Sequence, residues 1–190
     1  MTSIAWNANL QNSFYSIFKE PFTTALHVIE IGCFEGYGTL KLHELLGSHP
    51  ESTITCIDPW DDVYVKGKIE FSDIDPIFAN QYPKFSSNTS SIANKLVIKR
   101  GYSTDILPTL SAQSYDFAYV DGDHSANQVY TDGKLLFPLM KSGSIILFDD
   151  YYWTHGSEIT QIGIERFISE FNDKIEVLFR GPVQCAVKIK

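Results

Sequence analysis

The sequence is poor in cysteine: Cys33, Cys56 and Cys185 are three among 190 residues, each in or beside an apolar, strand-like segment. An odd, scattered set of this kind excludes a disulfide framework and a cysteine-rich zinc site, and reads as buried free thiols in a reducing compartment. Runs of lysine or arginine are missing too, and the formal net charge is −8. That balance argues against a nucleic-acid backbone as the main partner, because phosphate binding needs a basic face. No apolar run approaches the roughly 20 residues of a membrane-spanning helix. The first residues show no basic stretch followed by an apolar one, as a secretory signal would. The expectation is a cytoplasmic protein with no membrane partner, in which the sequon Asn88-Thr89-Ser90 is incidental. Also absent is the G-x-G-x-x-G spacing of a dinucleotide fingerprint, which argues against a nicotinamide-linked oxidoreductase.

What is present is organised around residues 28–39, V-I-E-I-G-C-F-E-G-Y-G-T. An apolar, β-branched run over 25–31 leads in, as a strand buried on both faces would. Gly32, Gly36 and Gly38 follow, and a helical pattern begins at Leu40. A strand, a glycine turn and a helix start together present backbone N–H groups and a helix dipole to the anionic part of a ligand. At 190 residues the chain is long enough for one domain with a sizeable core. Strands are expected at 53–57, 96–99, 115–120 and 144–148, with a hairpin-like pair at 175–179 and 184–189. Helices are expected at 6–18, 41–46, 126–140 and 158–171, and a short one leads into Leu110. This alternation predicts an α/β fold, a three-layer Rossmann-like sandwich. Its sheet is seven-stranded and mostly parallel, with an antiparallel C-terminal strand. Residues 1–190 form a single domain, with an N-terminal helical segment over 1–24. The least regular stretch, 61–94, reads equally as a lid or substrate-binding insertion and as a helix with a surface loop.

E-x-G-x-x-x-G-x-G, with Glu30 two residues before Gly32, resembles the first motif of class I S-adenosylmethionine-dependent methyltransferases. The resemblance implies S-adenosyl-L-methionine as cofactor, with Glu30 at its amino-acid end and the loop residues Gly32, Cys33, Phe34, Gly36 and Thr39 against it. Asp58 closes the second strand, where a carboxylate can accept both ribose hydroxyls of a nucleoside, and Trp60 lies beside it. Gly101-Tyr102-Ser103-Thr104-Asp105 is similar to the segment that borders the adenine in catechol-type O-methyltransferases, which puts Ser103 there.

A second constellation follows the fourth and fifth strands. F-A-Y-V-D-G-D-H-S presents Asp121, Asp123 and His124, and S-I-I-L-F-D-D-Y-Y-W presents Asp149 and Asp150. Adjacent parallel strands would gather Asp121, Asp149 and Asp150, and packed carboxylates repel one another unless a cation is present. Oxygen ligands suit a hard ion, Mg²⁺ first, with Mn²⁺ or Ca²⁺ as alternatives. D-G-x-H followed by G-x-x-x-x-F-D-D-Y resembles the macrocin-type sugar and macrolide O-methyltransferases. That likeness implies a divalent metal on Asp121, Asp149 and Asp150, with Asp121 also near the cofactor's amino group, and His124 as general base. It covers residues 25–153. Plainer readings stand beside it: Asp58 as a turn aspartate before proline, Asp149 and Asp150 as a helix N-cap pair, and His124 as a cap of the helix from Ala126. His155 is an alternative base or metal neighbour. The expected activity is metal-dependent O-methylation of a small-molecule hydroxyl on a sugar, phenol or natural product. The rival is a cofactor-binding or interaction protein of the same fold without methyl transfer. The acceptor's identity and a homo-oligomeric state are both left open.

Overall fold

The computed structural model describes residues 23–47, 49–60, 80–155 and 158–190, together with Ser13 and Ile17. Most of the expected N-terminal helix and residues 61–79 of the insertion lie outside the described residues.

The first strand, β1 (His27–Ile31), buries Val28, Ile29, Glu30 and Ile31 in succession. That pattern marks a central strand covered on both faces. Helix α1 (Tyr37–Leu46) starts directly after Gly36 and returns the chain to β2 (Thr53–Asp58). Helix α2 (Gln81–Asn88) and a 3₁₀ turn (Ser90–Lys95) lead without a gap into β3 (Leu96–Arg100). A one-turn helix, α3 (Ser103–Ile106), precedes β4 (Tyr115–Val120), and α4 (Ala126–Leu136) connects to β5 (Met140–Phe148). After a two-residue ladder between Thr154–His155 and Glu158–Ile159 come α5 (Thr160–Glu170), β6 (Ile175–Arg180) and β7 (Cys185–Ile189).

The seven strands lie in the order β3-β2-β1-β4-β5-β7-β6. Strands β1 to β5 pair in parallel. Strand β7 runs antiparallel to both β5 and β6, so the last strand enters between two that precede it. One core lies between the sheet and α4 and α5, with Ile29, Ile31, Val129, Leu136, Ile164 and Phe167. The other lies under α1 and α2, with Val28, Leu42, Leu46, Ile54 and Phe85. These are the three layers that the strand and helix alternation predicts. Among the described residues no helix is long and apolar enough to cross a membrane.

Some boundaries differ from the sequence expectation. The helix expected over 126–140 stops at Leu136, and Phe137–Leu139 is a 3₁₀ turn. Pro138 has no N–H to give to the helix and its ring crowds the preceding turn. Strand β5 therefore starts earlier than Ser144, passing Gly143 at φ +82 before it joins the core. Helix α5 starts at Thr160 because Glu158–Ile159 is extended and pairs with Thr154–His155.

Helices α4 and α5 approach so closely that a Cβ on Gly163 would lie 2.0 Å from the Ala126 carbonyl oxygen. Thr160, one turn earlier on α5, donates its hydroxyl to the His124 carbonyl at 2.9 Å. The contact thus fixes the height of the loop before α4. Gly163→Ala should cost about 1–3 kcal/mol by forcing the helices apart. Urea denaturation checks this, and an unchanged midpoint would mean that the helix pair has slack.

Candidate active site

Strands β1 and β4 are neighbours, yet the chain leaves them toward opposite edges of the sheet. A crevice at their carboxyl ends is where parallel α/β sheets bind ligands. The backbone ladder continues one rung past the strands. Gly101 N–H donates to Asp58 O, Gly32 to Ile57 O, Asp121 to Ile31 O and Asp149 to Val120 O, at 2.9–3.1 Å. The first residues of four loops are thereby set in a row, and Asp58, Ser103, Asp121 and Asp149 share one edge with the glycine loop.

The glycine loop is held from below by Asp58. One carboxylate oxygen accepts the Cys33 and Phe34 N–H groups at 2.9 Å each, and the other accepts the Trp60 N–H at 2.6 Å. Burial pushes the Asp58 carboxyl above its ordinary value despite these three donors. Gly32, at φ +85, lies against the neighbouring loop so tightly that a Cβ would sit 2.0 Å from Asp121 O. Gly38 leaves room for Glu30, whose Oε1 lies 2.6 Å from where its Cβ would be. Glu30 is 1% exposed. Its Oε2 accepts the Thr39 hydroxyl, while Oε1 has no hydrogen-bond partner among the described residues. Desolvation raises its pKa from 4.5 to about 8, against the pull of Thr39 and Cys33. A buried carboxylate oxygen without a donor fits a ligand ammonium, which is what the cofactor's amino-acid end carries.

The loop is braced from outside by the part of the insertion that is described. Lys84 on α2 pairs with Glu35 at 2.9 Å, and Asn88 donates to the Glu35 carbonyl at 2.8 Å. Trp60 donates its indole N–H to Phe34 O at 2.8 Å, and its ring packs on Phe85 and Tyr82. Ser103 donates to Asp132 on α4 at 2.6 Å, and Gln128 binds both. Burial raises Asp132 to about 6.

At the ends of β4 and β5 the carboxylates gather. Ligand atoms of Asp121, His124 and Asp150 all lie within 4.8 Å of one another. His124 Nε2 stands 3.4 Å from Asp150 Oδ2. Asp149 is engaged elsewhere: its Oδ2 accepts the Tyr119 hydroxyl, which also reaches Asp121 at 3.2 Å, and its Oδ1 accepts the Asp150 N–H at 2.8 Å. Asp150 adopts φ +52, which turns its carboxylate toward His124 rather than along the strand. Loss of water raises the Asp121 carboxyl well above its usual range, and the charges of Asp149 and Asp150 push it further. Asp150 is raised for the first of these reasons too, partly offset by His124. The carboxylates of Asp121 and Asp150 fit a divalent cation as oxygen ligands, and the His124 imidazole stands beside them.

The methyltransferase-domain profile matches residues 29–151, a span that runs from β1 to one residue beyond Asp150. The chain belongs to the methyltransferase-domain family. An uncharacterised protein of Acanthamoeba polyphaga mimivirus is 30% identical over 146 residues, 75% of this chain and 56% of the relative's length. The chain therefore spans little more than half of that relative. TomG, an O-methyltransferase of Streptomyces achromogenes involved in tomaymycin synthesis and solved with S-adenosylmethionine, superposes with a TM-score of 0.67 at 16% identity. That match covers 100% of this chain and 81% of TomG. A Bacillus cereus O-methyltransferase solved with S-adenosylhomocysteine gives 0.67 at 15%, covering 100% and 82%. A putative rRNA-methylase of Clostridium thermocellum gives 0.68 at 12%, covering 95% and 94%. At such identities the solved structures share the fold.

Several residues of this methyltransferase-domain site carried no motif. Tyr119 had a usable signal, since strand alternation points it to the same face as Asp121, two residues on. Asp132 and Thr160 act through partners distant in sequence, and no spacing rule connects them. Glu30 yields a measurable consequence. Its folded pKa of about 8 exceeds the ordinary 4.5, so the folded chain keeps a proton that the unfolded chain loses. Stability from this group falls as pH rises through that window. Glu30→Gln should remove the dependence, so the variant gains thermal stability relative to the wild type as pH approaches 8. Parallel melting curves across the window would disprove the buried assignment.

Proposed function

We propose that this protein is an S-adenosylmethionine-dependent methyltransferase that transfers a methyl to a hydroxyl of a small molecule, assisted by a divalent cation. The observation that carries the reading is the juxtaposition of two chemistries at one sheet edge. A buried carboxylate with one oxygen, Glu30 Oε1, lacking a donor among the described residues lies near the end of β1, and an acid–imidazole cluster lies at the ends of β4 and β5. The family membership and the cofactor-bound O-methyltransferases of the same fold support it.

Glu30 would receive the cofactor's ammonium, with Gly32, Cys33, Phe34, Gly36 and Thr39 shaping the loop around it. Asp58 holds that loop through the Cys33 and Phe34 amides, and with Trp60 it would face the ribose. Ser103, fixed by Asp132, would border the adenine. When bound, S-adenosylmethionine supplies a methyl on a cationic sulfur, open to in-line attack by an oxygen nucleophile. Asp121 and Asp150 would hold the cation, Mg²⁺ or another divalent ion, with Asp149 beside them; when bound it would supply a Lewis acid for the acceptor hydroxyl. His124 takes the proton at Nε2, the nitrogen that faces Asp150, and Asp150 stabilises the imidazolium that results. Thr160 and Asp123 keep the His124 loop in place, the latter by accepting the Ser125 N–H at 2.8 Å. The surplus of negative charge disfavours polyanionic acceptors and nucleic acid.

Calorimetry with S-adenosylmethionine, followed by a methyl-transfer screen with and without EDTA, tests the reading. Tight cofactor binding without turnover on any acceptor would favour a binding protein instead. Asp149→Ala combined with Asp150→Ala should abolish divalent-cation binding while cofactor affinity stays within about twofold, and unaltered cation binding would sink the site assignment. His124→Ala should lower kcat about 10²–10⁴-fold with little change in acceptor KM. An unaltered rate would place the base elsewhere.

A further inference from the structure

Gln184 is 2% exposed, and neither Nε2 nor Oε1 of its side chain has a hydrogen-bond partner among the described residues. Buried amides are normally satisfied, and one left bare on both ends needs a reason. Its place in the sheet supplies one. The antiparallel pairing of β5 with β7 ends at Phe148 opposite Cys185. Asp149 follows Phe148 and Gln184 precedes Cys185, so the two stand side by side one step beyond the last rung. The hairpin stays attached there, since Tyr151 N–H donates to Val183 O at 2.6 Å.

The face follows from alternation along the strands. Leu147 and Ala186, one step back from Phe148 and Cys185, both belong to the core under α1, as does Tyr119. Phe148 and Cys185 belong to the opposite core. Asp149 and Gln184 therefore turn toward the Tyr119 side, and the Tyr119–Asp149 hydrogen bond shows this for Asp149.

We propose that Gln184 is an acceptor-binding residue, and that the acceptor is a neutral molecule with a second hydroxyl beside the one methylated, a polyol or glycoside. This rests on the methyltransferase reading of the adjoining site. A carboxamide offers one acceptor and two donors, which complements a hydroxyl that both donates and accepts. A carboxylate on the substrate only accepts, so it would leave the amide carbonyl of Gln184 without a donor. An isolated phenol ring without a second polar group would leave the amide bare, and such a mismatch is a strong basis for discrimination.

The test uses the full chain, its Gln184→Met variant and Gln184→Asn. Thermal denaturation comes first. An amide without an internal partner predicts that Gln184→Met melts at or above the wild-type temperature, whereas a lower midpoint in both variants would reveal a structural role and overturn the proposal. Next, ¹⁵N-labelled protein loaded with S-adenosylhomocysteine and Mg²⁺ is titrated with methyl glucoside, myo-inositol, glucuronate and phenol. The expected result is a shift of the Gln184 side-chain amide signal with a neutral polyol, and about tenfold weaker binding of that probe to Gln184→Met. Binding confined to glucuronate or phenol, no binding by any of the four, or equal affinity of the variant would each overturn it. Loading with S-adenosylhomocysteine is recorded separately on the wild type. Failure at that step would count against the methyltransferase reading itself, while loading without an effect at Gln184 counts against this assignment alone.

Discussion

The site depends on a backbone ladder that outlasts its strands by one rung. Gly101, Gly32, Asp121 and Asp149 each donate an N–H to the carbonyl of a strand beside them, in the positions where parallel pairing would continue. Four loops of unrelated sequence thus begin in register. Everything that follows in those loops inherits its position: Cys33 and Phe34 arrive over the Asp58 carboxylate, His124 over Asp150, and Asp149 over the Tyr119 hydroxyl. Side-chain bonds then lock what the ladder has aligned. A slip of one residue in any strand would reverse its inward and outward faces and scatter these groups.

Glycine in the first loop serves protein packing as much as ligand approach. Gly32 gives way to the Asp121 backbone and Gly38 to the Glu30 carboxylate, so the spacing E-x-G-x-x-x-G-x-G encodes a fit between neighbouring loops. That explains why the motif was so informative about fold. It specifies how β1, α1 and β4 meet, and the ligand surface is what remains.

Much of this was readable in the amino acids. Residues 28–38 announced a strand, a turn and a helix, and D-G-D-H with F-D-D-Y announced acidic loops after two further strands. The seven-stranded sheet and its two cores follow from that alternation. Other features were beyond reach for identifiable reasons. Pro138 truncates α4 at a point where the apolar pattern continues unbroken, so periodicity overran it. Strand β7 inserts between β5 and β6, and that order, set by long-range pairing, carries Gln184 next to Asp149. The division of labour among the aspartates was hidden as well. Asp149 and Asp150 are adjacent and chemically alike, and the positive φ of Asp150 together with the Tyr119 hydroxyl separates them.

The order of strands divides the molecule in a way that bears on how such a protein can change over generations. Residues up to Arg100 build one half of the sheet and those from Tyr115 build the other, and β1 with β4 is the one strand pair that joins them. On the proposed reading, the residues that would meet the methyl donor fall mostly in the first half and those that would meet the acceptor in the second. The halves meet along a narrow seam, where Gly32 abuts Asp121. On that reading, substitutions in the hairpin can change the acceptor while the first half of the sheet stays as it is. The seam itself tolerates little. A lineage built on this plan keeps its reagent and exchanges its customers.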